Sequence, residues 1–128
     1  ANNQLNGGAG NDTINGGIGI DSLTGGIGND IFRFTTTGQI DTVTDYNVVN
    51  DTIQLENAIF TKLTTTGTLA AAQFRIGAQA ADSNDFIVYN NITGALSYDA
   101  NGNGVGAMVT IAMIGAGLNM TNADIVVI

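Results

Sequence analysis

Four large apolar residues, Leu5, Ile14, Leu23 and Phe32, stand nine positions apart at the start of the chain. Three of them are flanked by polar residues: Gln4 and Asn6, Thr13 and Asn15, Ser22 and Thr24. Alternate side chains of an extended segment point to opposite faces, so each run reads as a short strand with one inward position. The fixed spacing stacks the four as one interior ladder. Phe34 extends the last of these strands, and residues 35–38 read as the loop that leaves it. Residues 40–46 and 51–55 are rich in β-branched side chains and read as two more short strands. Residues 69–74 form the one stretch with helix propensity, and it is short. Strand pattern returns at 86–89, 96–98, 109–114 and 124–128, with Gly- and Asn-rich turns between. Short strands with such turns predict an antiparallel sandwich.

The residues between the ladder positions are as regular as the ladder. Residues 7–33 are three copies of one nonapeptide. Glycine holds positions one, two and four: Gly7, Gly8 and Gly10, then Gly16, Gly17 and Gly19, then Gly25, Gly26 and Gly28. Aspartate holds position six, as Asp12, Asp21 and Asp30. Residues 1–6 are the end of a fourth copy, with Asn3 at position six. Three glycines in four residues are entropically costly and imply a turn with positive φ or close backbone approach. Such a turn leaves several carbonyl oxygens on one side, and the aspartate adds a carboxylate. Carbonyls and carboxylates without His or Cys are ligands for a hard cation, and calcium fits better than zinc. A flexible glycine-rich linker would keep neither the spacing nor the apolar ladder.

This repeat resembles the calcium-binding nonapeptide of RTX, or hemolysin-type, proteins. The resemblance implies an all-β fold: a short right-handed parallel β-roll with two nonapeptides per coil and each calcium between turns two repeats apart. Asp12 and Asp30 would then share an ion with carbonyls near Gly8, Gly10 and Gly25. Asp21, with Gly16, Gly17 and Gly19, would face the truncated copy, where Asn3 brings no charge. Gly26 and Gly28 would belong to the third turn of the same ligand set. Asp41, Asp45 and Tyr46, then Asp51, Ile53 and Leu55, are similar to the segment after the roll in serralysin-type proteases. By that resemblance Asp41 helps close the last calcium site; the alternative is a strand-edge aspartate facing solvent. Asp45 and Asp51 read as capping or turn residues. Asp85, Ile87, Tyr89, Thr93, Gly94, Leu96, Tyr98, Asp99, Gly102 and Gly104 are similar to the distal part of the same domains. The expected division is a roll over 1–36 and an antiparallel sandwich cap over 37–128, which protects the open end of the roll. Residues 99–104 begin like an EF-hand loop, but Thr110 stands where that loop needs a bidentate glutamate, so a plain hairpin turn is the alternative. The final residues, Asp124 followed by Ile125, Val126, Val127 and Ile128, resemble the uncleaved C-terminal signal of type I secretion substrates. A terminal strand is the other reading.

Composition narrows the function. The 128 residues carry a formal charge of −8, with Arg33, Lys62 and Arg75 as the only basic side chains. That balance argues against nucleic acid and anionic membranes and suits cations. No run of 18 apolar residues exists, so no membrane insertion is expected. Cysteine is absent, so bound metal is the available staple. Proline is absent too, which removes a slow folding step. Without His or Cys, with Lys62 isolated and with Ser22, Ser83 and Ser97 outside any nucleophile elbow, no enzymatic activity is expected. Because Ala1 opens in mid-repeat, the chain reads as a fragment whose parent's active site, if any, lies upstream. The expected function is a secreted, monomeric calcium-binding module of a Gram-negative-type bacterium, folded by calcium outside the cell and exported by type I machinery. The alternative is a polysaccharide-binding or adhesin module, which needs an exposed aromatic platform.

Overall fold

The computed structural model describes residues 2–81, 83–100 and 108–128. Among the described residues twelve strands form two sheets. In chain order they are β1 Gln4–Asn6, β2 Thr13–Ile14, β3 Ser22–Thr24, β4 Ile31–Phe34, β5 Asp41–Val43, β6 Thr52–Leu55, β7 Gly67–Thr68, β8 Phe74–Ile76, β9 Ile87–Tyr89, β10 Ala95–Tyr98, β11 Val109–Met113 and β12 Ile125–Val127. One sheet runs β1-β3-β5-β11-β10-β9-β8 and the other β2-β4-β6-β12-β7. Successive strands therefore alternate between sheets at the start of the chain, so two nonapeptides make one coil. The parallel register confirms an 18-residue coil: Leu5 lies beside Leu23, and Ile14 beside Phe32.

The apolar positions form two inward ladders, one per sheet, where the spacing alone suggested one. Leu5, Leu23 and Val43 line one wall. Ile14, Phe32, Ile53 and Ile125 line the other. Alternation of strands between sheets causes the split, and both ladders enter one core with Phe60, Leu63, Tyr89, Leu96 and Ile111. Phe32, Leu23, Ile53 and Ile125 are fully buried, so the coil interior is close-packed side chain.

β5 and β6 continue the parallel stacking of β3 and β4. β11 and β12 then add in parallel to β5 and β6. The distal layers are a sandwich of mixed pairing: β9, β10 and β11 are antiparallel, β7 is antiparallel to β12, and β8 is parallel to β9. This arrangement covers the last coil with paired backbone on both walls, which removes two exposed edges. The helical pattern at 69–74 is a single 3-10 turn, Ala71–Gln73, followed by strand. The short strands β7 and β8 carry no periodic signal that sequence could have flagged. No described helix is long and apolar enough to cross a membrane.

Candidate metal centre

The glycine-rich turns stack on two flanks of the coil. The first and third turns share one flank. Gly10 N–H donates to Ile27 O at 2.9 Å, and Ile27 N–H donates to Gly8 O at 3.0 Å. The second turn lies on the opposite flank, where Ile20 N–H donates to Asn2 Oδ1 at 2.9 Å. Glycine serves two distinct needs here. At positions two and four the backbone has positive φ, as at Gly26 (88°) and Gly28 (127°). At position one φ is ordinary, but the aspartate of the same copy presses on the Cα: a Cβ on Gly7 would lie 2.5 Å from Asp12 Oδ2, and one on Gly16 would lie 2.5 Å from Asp21 Oδ2. Gly25 meets Asp30 in the same way.

In Asp21 and Asp30 the two carboxylate oxygens are unlike. The Oδ1 atoms accept backbone N–H groups from the coil before: Asn3 N–H to Asp21 at 2.7 Å, Asp12 N–H to Asp30 at 3.0 Å, Asp21 N–H to Asp41 at 2.8 Å and Asp30 N–H to Asp51 at 3.0 Å. The Oδ2 atoms of Asp12, Asp21 and Asp30 are buried and have no hydrogen-bond partner. Asp21 and Asp30 are only 2% and 1% exposed. Leaving a buried acceptor unmade costs about 1–3 kcal/mol, more if it is charged, so three in a row at equivalent positions call for a ligand. Gly25 O sits 2.8 Å from the point a Gly7 Cβ would occupy, beside Asp12 Oδ2, so oxygens of two turns converge there. Gly8 O holds one hydrogen bond and keeps a second lone pair. Among the described residues no group of three or more acidic side chains gathers at one point, and the other oxygens beside these carboxylates are main-chain carbonyls such as Gly25 O and Gly8 O. That donor set suits calcium.

Among the sequence-derived candidates, the structure brings Asp12 and Asp30 together on the flank that carries Gly8, Gly10, Gly25, Gly26 and Gly28. It brings Asp21 and Asp41 together with Gly16, Gly17 and Gly19 on the other. Asp41 is buried, and burial raises its carboxyl above the usual range, with the nearby Asp21 charge adding to the rise. Asp51 is raised for the same first reason, with Asp30 and Asp45 as the neighbouring charges. Most of the EF-like loop, Asn101 to Gly104, lies outside the described residues, as does Ala1 of the truncated copy.

Several turn-building side chains escaped the sequence reading. Asn6 and Asn15 accept the N–H two residues on, from Gly8 and Gly17. Asn11 Oδ1 accepts Asn29 N–H at 2.8 Å, across coils. On the second flank Gln39 Oε1 accepts Gly19 N–H at 2.7 Å, and the Thr36 hydroxyl donates to Gly17 O at 3.1 Å. Asparagine at repeat position nine was a visible signal, because Asn readily closes local turns. Thr36 and Gln39 had none, since they lie outside the repeat.

Residues 1–33 match the RTX calcium-binding nonapeptide repeat, in four copies. The first part of this chain is therefore an RTX repeat segment, a structural module that binds calcium ions and is typical of secreted extracellular proteins. No curated protein matches the chain.

Proposed function

We propose that this domain folds on binding calcium outside the cell, with ions held between stacked turns of the coil. The observation that carries the reading is the set of three buried, unpartnered Oδ2 atoms of Asp12, Asp21 and Asp30. On one flank Asp12 and Asp30 are the carboxylate ligands, joined by carbonyls of Gly8, Gly10, Gly25, Gly26 and Gly28. On the other flank Asp21 and Asp41 serve with carbonyls of Gly16, Gly17 and Gly19. Bound calcium supplies the positive charge that these carboxylates lack. Two bare carboxylates in adjacent coils, ~5 Å apart, repel by roughly 3 kcal/mol at an effective dielectric of 20. A domain has only about 5–15 kcal/mol in all, so a few such pairs decide folding. Extracellular calcium modules bind at about 10⁻⁴–10⁻³ M, a level the cytosol does not reach. The chain thus stays unfolded inside, passes through type I machinery by a signal at its Asp124 to Ile128 end, and folds as a monomer once outside.

The polysaccharide reading finds no platform: the chain has no Trp, and Tyr46, Tyr89 and Tyr98 are all buried in the core. Calorimetric calcium titration of Asp12→Asn, Asp21→Asn and Asp30→Asn tests the ligand assignment. Asp12→Asn and Asp30→Asn should weaken the same ion by about tenfold, the worth of one charge-assisted contact. Asp21→Asn should weaken a different one. Three variants with wild-type affinity and stoichiometry would overturn the assignment.

A further inference from the structure

The aspartate series on the flank of the first and third turns ends differently from how it begins. Asp12 and Asp30 each leave Oδ2 without a partner. Asp51, the next member, uses both oxygens: Oδ1 accepts Asp30 N–H at 3.0 Å, and Oδ2 accepts Asn47 N–H at 2.8 Å. Asp45 does the same one step earlier in the loop. Its Oδ1 accepts Gly25 N–H at 2.9 Å and its Oδ2 accepts Gly26 N–H at 2.8 Å. In the first turn the equivalent donors are met by uncharged oxygens: Gly7 N–H by Thr24 O, and Gly8 N–H by Asn6 Oδ1. Position nine before the third turn is Thr24, whose hydroxyl is engaged by Thr44 at 2.6 Å. No Asn stands there to close the turn, and Asp45 from the next coil takes its place. Tyr46, buried between them, donates its hydroxyl to Asp51 O at 3.1 Å and so fixes the loop that carries both acids.

We propose that Asp45 and Asp51 form a metal-free clasp at the cap end of this flank. The two carboxylates meet the backbone N–H groups of the third turn and of their own loop, so this junction takes no calcium. Asp45 and Asp51 are positioning residues: they hold Gly25, Gly26 and Asp30 in the shape that offers oxygens to the ion shared with the first turn. The reason is geometric. Both oxygens of Asp45 and both of Asp51 already accept a backbone N–H, whereas Oδ2 of Asp12, Asp21 and Asp30 accepts none. The proposal rests on the calcium reading above for its second half only; the clasp itself is a property of the folded chain.

The test compares Asp45→Asn and Asp51→Asn with the wild type at saturating calcium, by calorimetry and by amide hydrogen exchange resolved by NMR. Asn keeps one acceptor oxygen, which preserves the loop while breaking the second bond. The number of ions bound per chain should stay at the wild-type value. The calcium midpoint should rise about three- to tenfold, and the Gly25 and Gly26 amides in Asp45→Asn should exchange about tenfold faster, in line with one lost charge-assisted bond. The Asn47 amide should do so in Asp51→Asn. Loss of an ion in either variant would make that aspartate a ligand and overturn the proposal. Unchanged exchange at these amides would overturn it as well. If Asp45→Asn does not fold, Asp51→Asn and the ion count carry the decision. A wild type that binds no calcium while the exchange effects persist would instead remove the calcium reading and leave the clasp standing.

Discussion

Replacing Gly26 by alanine, with Gly8→Ala as its control, separates turn stacking from turn conformation. Both glycines hold repeat position two with nearly the same φ, 88° and 83°. An alanine forced into that left-handed region costs about 1–2 kcal/mol at either site. Their surroundings differ. A Cβ on Gly8 meets nothing within 4 Å, whereas one on Gly26 would fall inside the contact radius of Gly8 O. The third turn would have to move off the first, stretching the Ile27 N–H to Gly8 O bond of 3.0 Å and the Gly10 N–H to Ile27 O bond of 2.9 Å. Each is worth about 1 kcal/mol net. Gly26→Ala should therefore cost about 3–4 kcal/mol, against about 1–2 for Gly8→Ala, and should also raise the calcium midpoint because Gly8 O and Gly25 O lose their alignment. Thermal melts at saturating calcium, followed by circular dichroism, measure both. Equal losses for the two variants would refute the stacked-turn account.

Two further outcomes concern charge and the tail. Burial raises the carboxyls of Asp41 and Asp51, so each binds its proton more tightly when folded. Their destabilising effect is absent below the unfolded value near 4 and grows as pH rises through the folded value. In chelator the β signal should hence strengthen as the pH is lowered toward the unfolded value near 4, while in calcium the same acidification should weaken it by proton competition; weakening in both would contradict the assignment. For the tail, deleting residues 125–128 should remove a central strand, since β12 pairs with both β6 and β7, and Asp124 Oδ2 caps its entry by accepting Thr121 N–H at 2.8 Å. Normal export with this deletion, alongside lost folding of the purified domain, would reduce the tail to a strand.

The coil was legible because its period is local. Nine-residue spacing fixed the inward positions Leu5, Ile14, Leu23 and Phe32, and the Gly and Asp placement fixed the turn and its oxygen donors. The division of that ladder between two walls was less legible, because it depends on which strands pair, and pairing is set by coil closure. The cap met the same limit. Strands at 87–89, 95–98 and 109–113 carried their own pattern, but the parallel joints of β11 to β5 and of β12 to β6 are long-range. Asp41 was reached by resemblance, and the structure places it in the Asp21 series through one N–H bond. Asp51 lies in the Asp12 and Asp30 series at an irregular spacing of 21 residues from Asp30, which hides it from a nine-residue count. Asp45 acts through two bonds to a turn about 20 residues away, and no local pattern reports such a partner.

The central claim is that calcium completes this fold. Circular dichroism of the purified domain, first in excess chelator and then with calcium restored to a few millimolar, tests it most directly. Most β signal should be lost without the ion and return in full with it. A spectrum unchanged after prolonged exposure to chelator, in protein shown by elemental analysis to hold no calcium, would contradict it.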